Sequence, residues 1–422
     1  MSENSSKTFF RQSGWMVFAA VLSGFIFYGV HPFAKKIPTS EYGVFGTLLA
    51  VLNMLVGLGS VFAQQAAAAV TEEQKRSLAS TTRRMLIGSF ALWLIGVAIV
   101  FFFQNSIVVS WKIHNPTALW LLMGLVLLTV FNPVFNGLLQ GGQNYLWLGW
   151  SMIINSVGRL SAVAVIVLCF HGWAAGMLAG LLVGLFLSTS VAAYQSRQIW
   201  WTQPGGNVNW KEWMCRVIPL VLGVGSFQFL FSADPLFVQY YSADGSQTGY
   251  YTAAGTLGRA LCAFTGQVVA VMFPKIARSV ALSEKSNYMG LTLLVTAVMV
   301  GVGAFGLTII APWLVPKVFY NEEYRAALPL LPWYAAAMAP LALANVLFYD
   351  LLARCKFAVV WGAVFVAAGY AWALTAHHGS FVEVLQTLCV ANLVFLAVVA
   401  IFSWRDSKSS AKLDNEASTT SN

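Results

Sequence analysis

Charge is what this chain has least of: Asp, Glu, Lys and Arg make up 9% of its 422 residues, against about 25% in an ordinary soluble domain. With 58% hydrophobic residues, a water-soluble globule is excluded. Cysteine is scarce as well. The five present, Cys169, Cys215, Cys262, Cys355 and Cys389, are odd in number and widely spaced, which speaks against a disulfide framework or a cysteine metal site. Adjacent His377 and His378 would face different ways on a helix and read as interfacial polar residues rather than as ligands. No G-x-x-x-x-G-K-[ST] loop occurs, so direct use of ATP is not expected. Neither a metal nor another cofactor is implied.

What the chain does have is apolar length. Its mean hydropathy is +0.71, and a spanning helix needs about 20 mostly apolar residues. Apolar runs fall at about 14–34, 43–65, 85–108, 118–140, 146–168 and 173–193, then at 216–240, 249–272, 289–311, 328–352, 357–376 and 381–403. The expectation is an all-α membrane protein of about twelve transmembrane helices. The charged start followed by an apolar run has no A-x-A-like cleavage site after it, so the run reads as a retained first helix rather than a signal peptide. The organisation expected is an N-terminal segment 1–13, a first lobe 14–194, a polar linker 195–215, a second lobe 216–404 and a disordered tail 405–422.

The formal charge of +9 could suggest nucleic acid, but the positions of the basic residues favour a topology signal, and no nucleic-acid partner is expected. With the N-terminus inside, seventeen of the 24 Lys and Arg residues, including Lys75, Arg76, Arg83, Arg84 and Arg197, fall in cytoplasmic segments. Only Lys35, Lys36, Lys112, Lys317 and Arg325 fall outside. This positive-inside bias puts both termini in the cytoplasm. Arg159 and Arg259 remain, and both lie within spans.

Two internal matches suggest a repeat. SEYGVFGTLLAVLNML from Ser40 aligns with SQTGYYTAAGTLGRAL from Ser246, setting Gly43 against Gly249 and Asn53 against Arg259. GLLQGGQNYLWLGW from Gly137 aligns with DLLARCKFAVVWG from Asp350 at a similar offset. The agreement implies two pseudo-symmetric six-helix lobes in parallel orientation, as in transporters built from repeats.

Several spans carry polar residues at helical spacing. Asn132, Asn136 and Gln140 follow one another four residues apart, as do Ser151, Asn155 and Arg159, and Thr252, Thr256 and Arg259 share a third stripe. Such side chains either tie helices together or line a water-filled cavity, and the amide stripe beside an intramembrane Arg favours the cavity. An ion at the bilayer centre costs roughly 2.5–3.5 kcal/mol on insertion scales, so Asp234 and Arg259 should have a partner or a task. Asp234 is the candidate charge partner of Arg259, or the site of a coupling cation. Pro235 has no N–H to bond the Phe231 carbonyl, so the seventh span should loosen there, and Pro133 should act likewise in the fourth.

Taken in order, SEYGVF from Ser40, NGLLQGGQNY from Asn136, DPLFVQYY from Asp234, TGYYTAAGTL from Thr248 and NEEYRAALPLL from Asn321 resemble the polysaccharide flippases of the multidrug/oligosaccharidyl-lipid/polysaccharide exporter superfamily. The resemblance implies a non-enzymatic transporter in the cytoplasmic membrane, flipping a polyprenyl diphosphate-linked oligosaccharide by alternating access, and working as a monomer among membrane lipids. A proton or sodium ion would be the coupling partner. It also implies cationic residues in a central cavity, a role matched by Arg159, Arg259, Lys35 and Lys36; the stripe residues Asn132, Asn136, Gln140 and Asn155, with Asn53 opposite Arg259 in the repeat, are the candidate polar lining beside them. Asn53 departs from the pattern, standing where the second lobe has Arg259. Two other classes fit less well. A cation-coupled drug exporter of the same superfamily would carry more cavity acids than Asp234, and a membrane glycan polymerase would need paired carboxylates on a large loop.

Overall fold

The computed structural model describes residues 3–55, 71–242, 245–281, 288–313, 322–354 and 356–420. Every regular element among them is helical. Helices α1 (Glu3–Tyr28) and α2 (Thr39–Met54) flank a 3-10 turn, His31–Lys36. Then come α3 (Glu72–Ser110), α4 (Thr117–Gly141), α5 (Tyr145–Phe170) and α6 (Trp173–Trp200). They are followed by α7 (Trp210–Ser232), α8 (Asp234–Tyr241), α9 (Gly245–Ala281) and α10 (Tyr288–Phe305). The chain closes with a 3-10 segment, Glu322–Leu330, and helices α11 (Leu331–Ala353), α12 (Ala358–Ala376) and α13 (Phe381–Thr420).

Among the described residues, ten helical segments are long and apolar enough to cross a bilayer. The expected second span begins in α2 and runs into 56–70, which lie outside the described residues. The expected eighth span lies within α9. Where a disordered tail is expected after Trp404, α13 instead continues to Thr420. No Gly or Pro between these positions interrupts it.

The chain divides into two compact units. The first comprises Met1–Gln228, Pro235–Ala253 and Leu314–Ala326, and the second Phe229–Asp234, Ala254–Trp313 and Ala327–Asn422. In the first unit the segment between α6 and α7 is fastened to the start of α3. Arg83 donates through Nε to the Trp200 carbonyl at 2.7 Å and through Nη2 to the carbonyls of Trp201 and Gln203. Ser80 Oγ accepts the Gly206 N–H at 2.8 Å. A capping box starts α3 beside these contacts, Thr71 and Gln74 each satisfying the other's backbone N–H.

The SEYGVF stretch acts as a packing device in this unit. Glu41, 4% exposed, lies 2.9 Å from His114 Nδ1 and accepts the Ala174 N–H at 3.3 Å, one of the donors left over at the start of α6. The Tyr42 hydroxyl meets His31 Nδ1 at 2.7 Å, and its ring packs on Tyr324. Gly43 lies so close to α9 that a Cβ on it would stand 2.9 Å from the Gly249 nitrogen. A Cβ on Gly249 would collide with the Thr39 carbonyl. The two glycines aligned by the internal repeat therefore face each other across one helix crossing, where only the absence of a side chain permits the approach.

Candidate functional site

The polar stripe of α5 changes character along its length. At Ser151 it is fully engaged. Ser151 Oγ donates to Asn136 Oδ1 at 2.9 Å and lies 2.8 Å from Ser188 Oγ. Asn136 Nδ2 donates to Asn132 Oδ1 at 2.8 Å, and Asn132 Nδ2 to Ser188 and Thr189 at 3.0 and 3.2 Å. These bonds knot α4, α5 and α6 together, so the amides expected to line a cavity are committed to one another. Gln140, at the end of the same stripe, is half-buried and has no side-chain hydrogen bond among the described residues.

Two turns further along, the stripe is buried but unsatisfied. Asn155 Oδ1 and Arg159 Nε are buried with no hydrogen-bond partner among the described residues. Arg159 is 8% exposed and has no carboxylate within reach among them; its guanidinium carbon lies 4.0 Å from the centroid of the Phe27 ring, a cation–π contact that supplies no counter-charge. Helices α1 and α5 run in parallel register, with Ala19 against Gly149 and Phe27 against Arg159. Ser23, midway between, falls at the level of Asn155, and its buried hydroxyl is also unpartnered. A buried polar group without a partner costs about 1–3 kcal/mol, and a charged one more. Asn155 and Arg159 carry such atoms one turn apart on α5, and Ser23 carries another on α1.

The backbone of α6 fixes this geometry. Gly176, Gly180 and Gly184 recur every four residues, and the last two touch α5 directly. A Cβ on Gly180 would lie 2.7 Å from the Val163 nitrogen, and one on Gly184 2.6 Å from the Arg159 nitrogen. Arg159 is thus set on a rigid, closely packed pair, near the middle of α5, roughly 20 Å from its first residue at 1.5 Å per residue.

In the second unit, Arg259 is bound quite differently. Ser232 ends α7 and Asp234 starts α8, so the helix breaks where Pro235 predicts. Arg259 Nη2 bonds Asp234 Oδ1 and Oδ2 at 2.7 and 2.6 Å, and Nε donates to the Phe231 carbonyl at 2.9 Å. The Tyr334 hydroxyl donates to Asp234 Oδ2 at 2.8 Å, and the Arg259 guanidinium carbon lies 5.5 Å from the Tyr334 ring centroid. Asp234 is completely buried. This set neutralises both ions and satisfies the carbonyl exposed by the break, which is what stability of a buried ion pair requires.

The remaining expected residues are dispersed. Asn53 is half-buried in the last turn of α2, and Lys35 and Lys36 end the 3-10 turn after α1, half-buried and exposed respectively. Asp350 and Arg354 form the local pair expected of their i, i+4 spacing, at 2.9 Å. Ser23, Phe27 and Tyr334 escaped sequence reasoning. The repeated glycines of α6 were a usable signal for the site, since such spacing marks close helix contact.

Solved structures share this fold. An inward-facing multidrug resistance MATE transporter of the MOP superfamily superposes with a TM-score of 0.70 at 13% identity, covering 94% of this chain and 95% of its own. The lipid II flippase MurJ, in an inward closed conformation, gives 0.70 at 14% identity, covering 92% and 87%. A MOP-superfamily transporter from Pyrococcus furiosus gives 0.61 at 13% identity, covering 94% of each chain. Comparison with curated protein sequences gives no significant match. Residues 9–280 match the family model described as polysaccharide biosynthesis protein. With that match spanning more than half of the chain, and with ten helical segments able to cross a bilayer, this is a multi-pass membrane protein that belongs to the polysaccharide biosynthesis protein family and has the MOP-superfamily transporter fold.

Proposed function

We propose that the chain is a flippase that moves a polyprenyl diphosphate-linked oligosaccharide across the cytoplasmic membrane by alternating access, for surface polysaccharide assembly. The observation that carries this proposal is Arg159, a buried guanidinium with no counter-ion among the described residues, flanked by the unpartnered Asn155 and Ser23. A guanidinium is a planar fork that stays charged at physiological pH and matches phosphate oxygens two at a time. A diphosphate entering beside α1 and α5 would supply the missing charge, while Asn155 and Ser23 would bond its oxygens or the first sugar. Arg259 serves as the charge partner of Asp234. The tight Arg259–Asp234–Tyr334 set leaves this carboxylate poorly placed to bind a coupling proton or sodium ion. Family membership supports a glycan-related cargo, and the MurJ neighbour is itself a lipid II flippase.

Deletion of the coding sequence in its native host tests the cargo. The flippase predicts loss of surface polysaccharide and accumulation of the lipid-linked precursor on the cytoplasmic side, with drug susceptibility unchanged. Intact polysaccharide together with increased drug susceptibility would identify a drug exporter instead.

A further inference from the structure

The last two helices border an open cavity of about 690 Å³. One wall is a stripe of α12 from Phe365 through Gly369 to His377, and the other a stripe of α13 from Glu383 to Val394. At 1.5 Å per residue each stripe is roughly 17 Å long, about half of a hydrocarbon core about 30 Å thick. Away from the α12–α13 turn the lining is apolar except for Tyr370. Phe365, Val390 and Val394 are 74, 60 and 47% exposed, so the cavity opens sideways, as a groove on the apolar flank of the helices. Gly369 makes the room, for a Cβ there would meet nothing within 4 Å.

The end next to the turn is polar and acidic. His377, Glu383, Gln386 and Thr387 line it, and neither Lys nor Arg does. The Glu383 side chain is 43% exposed; its Oε2 accepts the Gly379 N–H at 3.0 Å, while Oε1 lies 3.7 Å from His377 Nδ1, beyond hydrogen-bond length. One carboxylate oxygen therefore remains available. An apolar trough half a bilayer long, ending in a carboxylate beside His377 with neither Lys nor Arg in the lining, matches a chain with an ammonium at its head and disfavours a diphosphate.

We propose that this groove binds a phospholipid whose headgroup carries an ammonium, of the phosphatidylethanolamine type, with one acyl chain lying past Gly369 and the ammonium at Glu383. Isoprenoid diphosphate would be a poor occupant on charge grounds. The site is independent of Arg159, so it stands or falls separately from the cargo.

Native mass spectrometry on the full chain, purified in detergent and stripped of lipid, provides the test with dioleoyl phosphatidylethanolamine and dioleoyl phosphatidylglycerol as probes. The wild type should favour the ethanolamine lipid by about tenfold or more. Gly369→Phe should lose that binding as its ring fills the groove, and Glu383→Gln should hold both lipids alike. Gly369→Leu replaces the Phe variant if the latter does not fold. Equal retention of the two lipids by the wild type would overturn the proposal, whatever the variants do. So would unchanged binding by a folded, groove-filling variant, or displacement of the ethanolamine lipid by stoichiometric polyprenyl diphosphate.

Discussion

Arg259 donates its Nε–H to the carbonyl of Phe231 at 2.9 Å, the carbonyl that Pro235 cannot bond from four residues on. The proline thus creates an acceptor, and the arginine one helix away consumes it while its other arm holds Asp234 at 2.6–2.7 Å. Break, acceptor and ion pair form a single unit.

Removing one member should therefore be costly. Asp234→Asn or Arg259→Gln alone should each destabilise the detergent-purified protein by about 3–5 kcal/mol, since each leaves an uncompensated buried charge. The double variant should recover part of that loss in thermal unfolding. Purely additive losses would show that the pair is not coupled. Transport by the same double variant bears on the second role of Asp234: activity with a recovered fold leaves Asp234 and Arg259 charge partners only, and a folded but inactive protein shows that one of the two has a further task in transport.

Tight packing of α6 against α5 makes a second prediction. Gly184→Leu would force a side chain onto the Arg159 nitrogen, where an added Cβ already comes to 2.6 Å. Overpacking of this kind typically costs about 1–3 kcal/mol, occasionally more. Gly88→Leu, at a position where a Cβ meets nothing within 4 Å, is the matched control and should be neutral. Equal melting temperatures for the two variants would contradict the packing described.

The orientation can be checked at Asn207, which is exposed in the segment fastened by Arg83 and Ser80. A single cysteine placed there in a cysteine-free background should resist an impermeant thiol reagent in intact cells and react after permeabilisation. Labelling of intact cells would reverse the topology expected from the Lys and Arg distribution.

Much of the fold was legible because a bilayer imposes a length on each apolar run. The Asp234–Arg259 pair was legible too, since two opposite ions buried in adjacent spans have few alternatives. The amide stripe was less so. Asn132, Asn136 and Ser151 have the spacing of cavity-lining residues, yet the same spacing lets them bond to one another and to Ser188. Only the rotation of α6, set by Gly180 and Gly184, distinguishes the two uses, and rotation is not written in a hydropathy pattern. The same limit hid Phe27, whose meeting with Arg159 depends on the register of α1 along α5. The helix through 405–420 has no hydrophobic signature, and only the lack of breakers hinted at it.

Recognition of the anionic headgroup by Arg159 is tested most directly by translocation of a lipid-linked oligosaccharide in vesicles reconstituted with wild type, Arg159→Gln and Arg159→Lys. With folding verified, Arg159→Gln should be nearly inactive, and Arg159→Lys, keeping charge but losing the two-pronged contact, should retain partial activity. An Arg159→Gln protein that folds and flips its substrate at the wild-type rate would contradict the account.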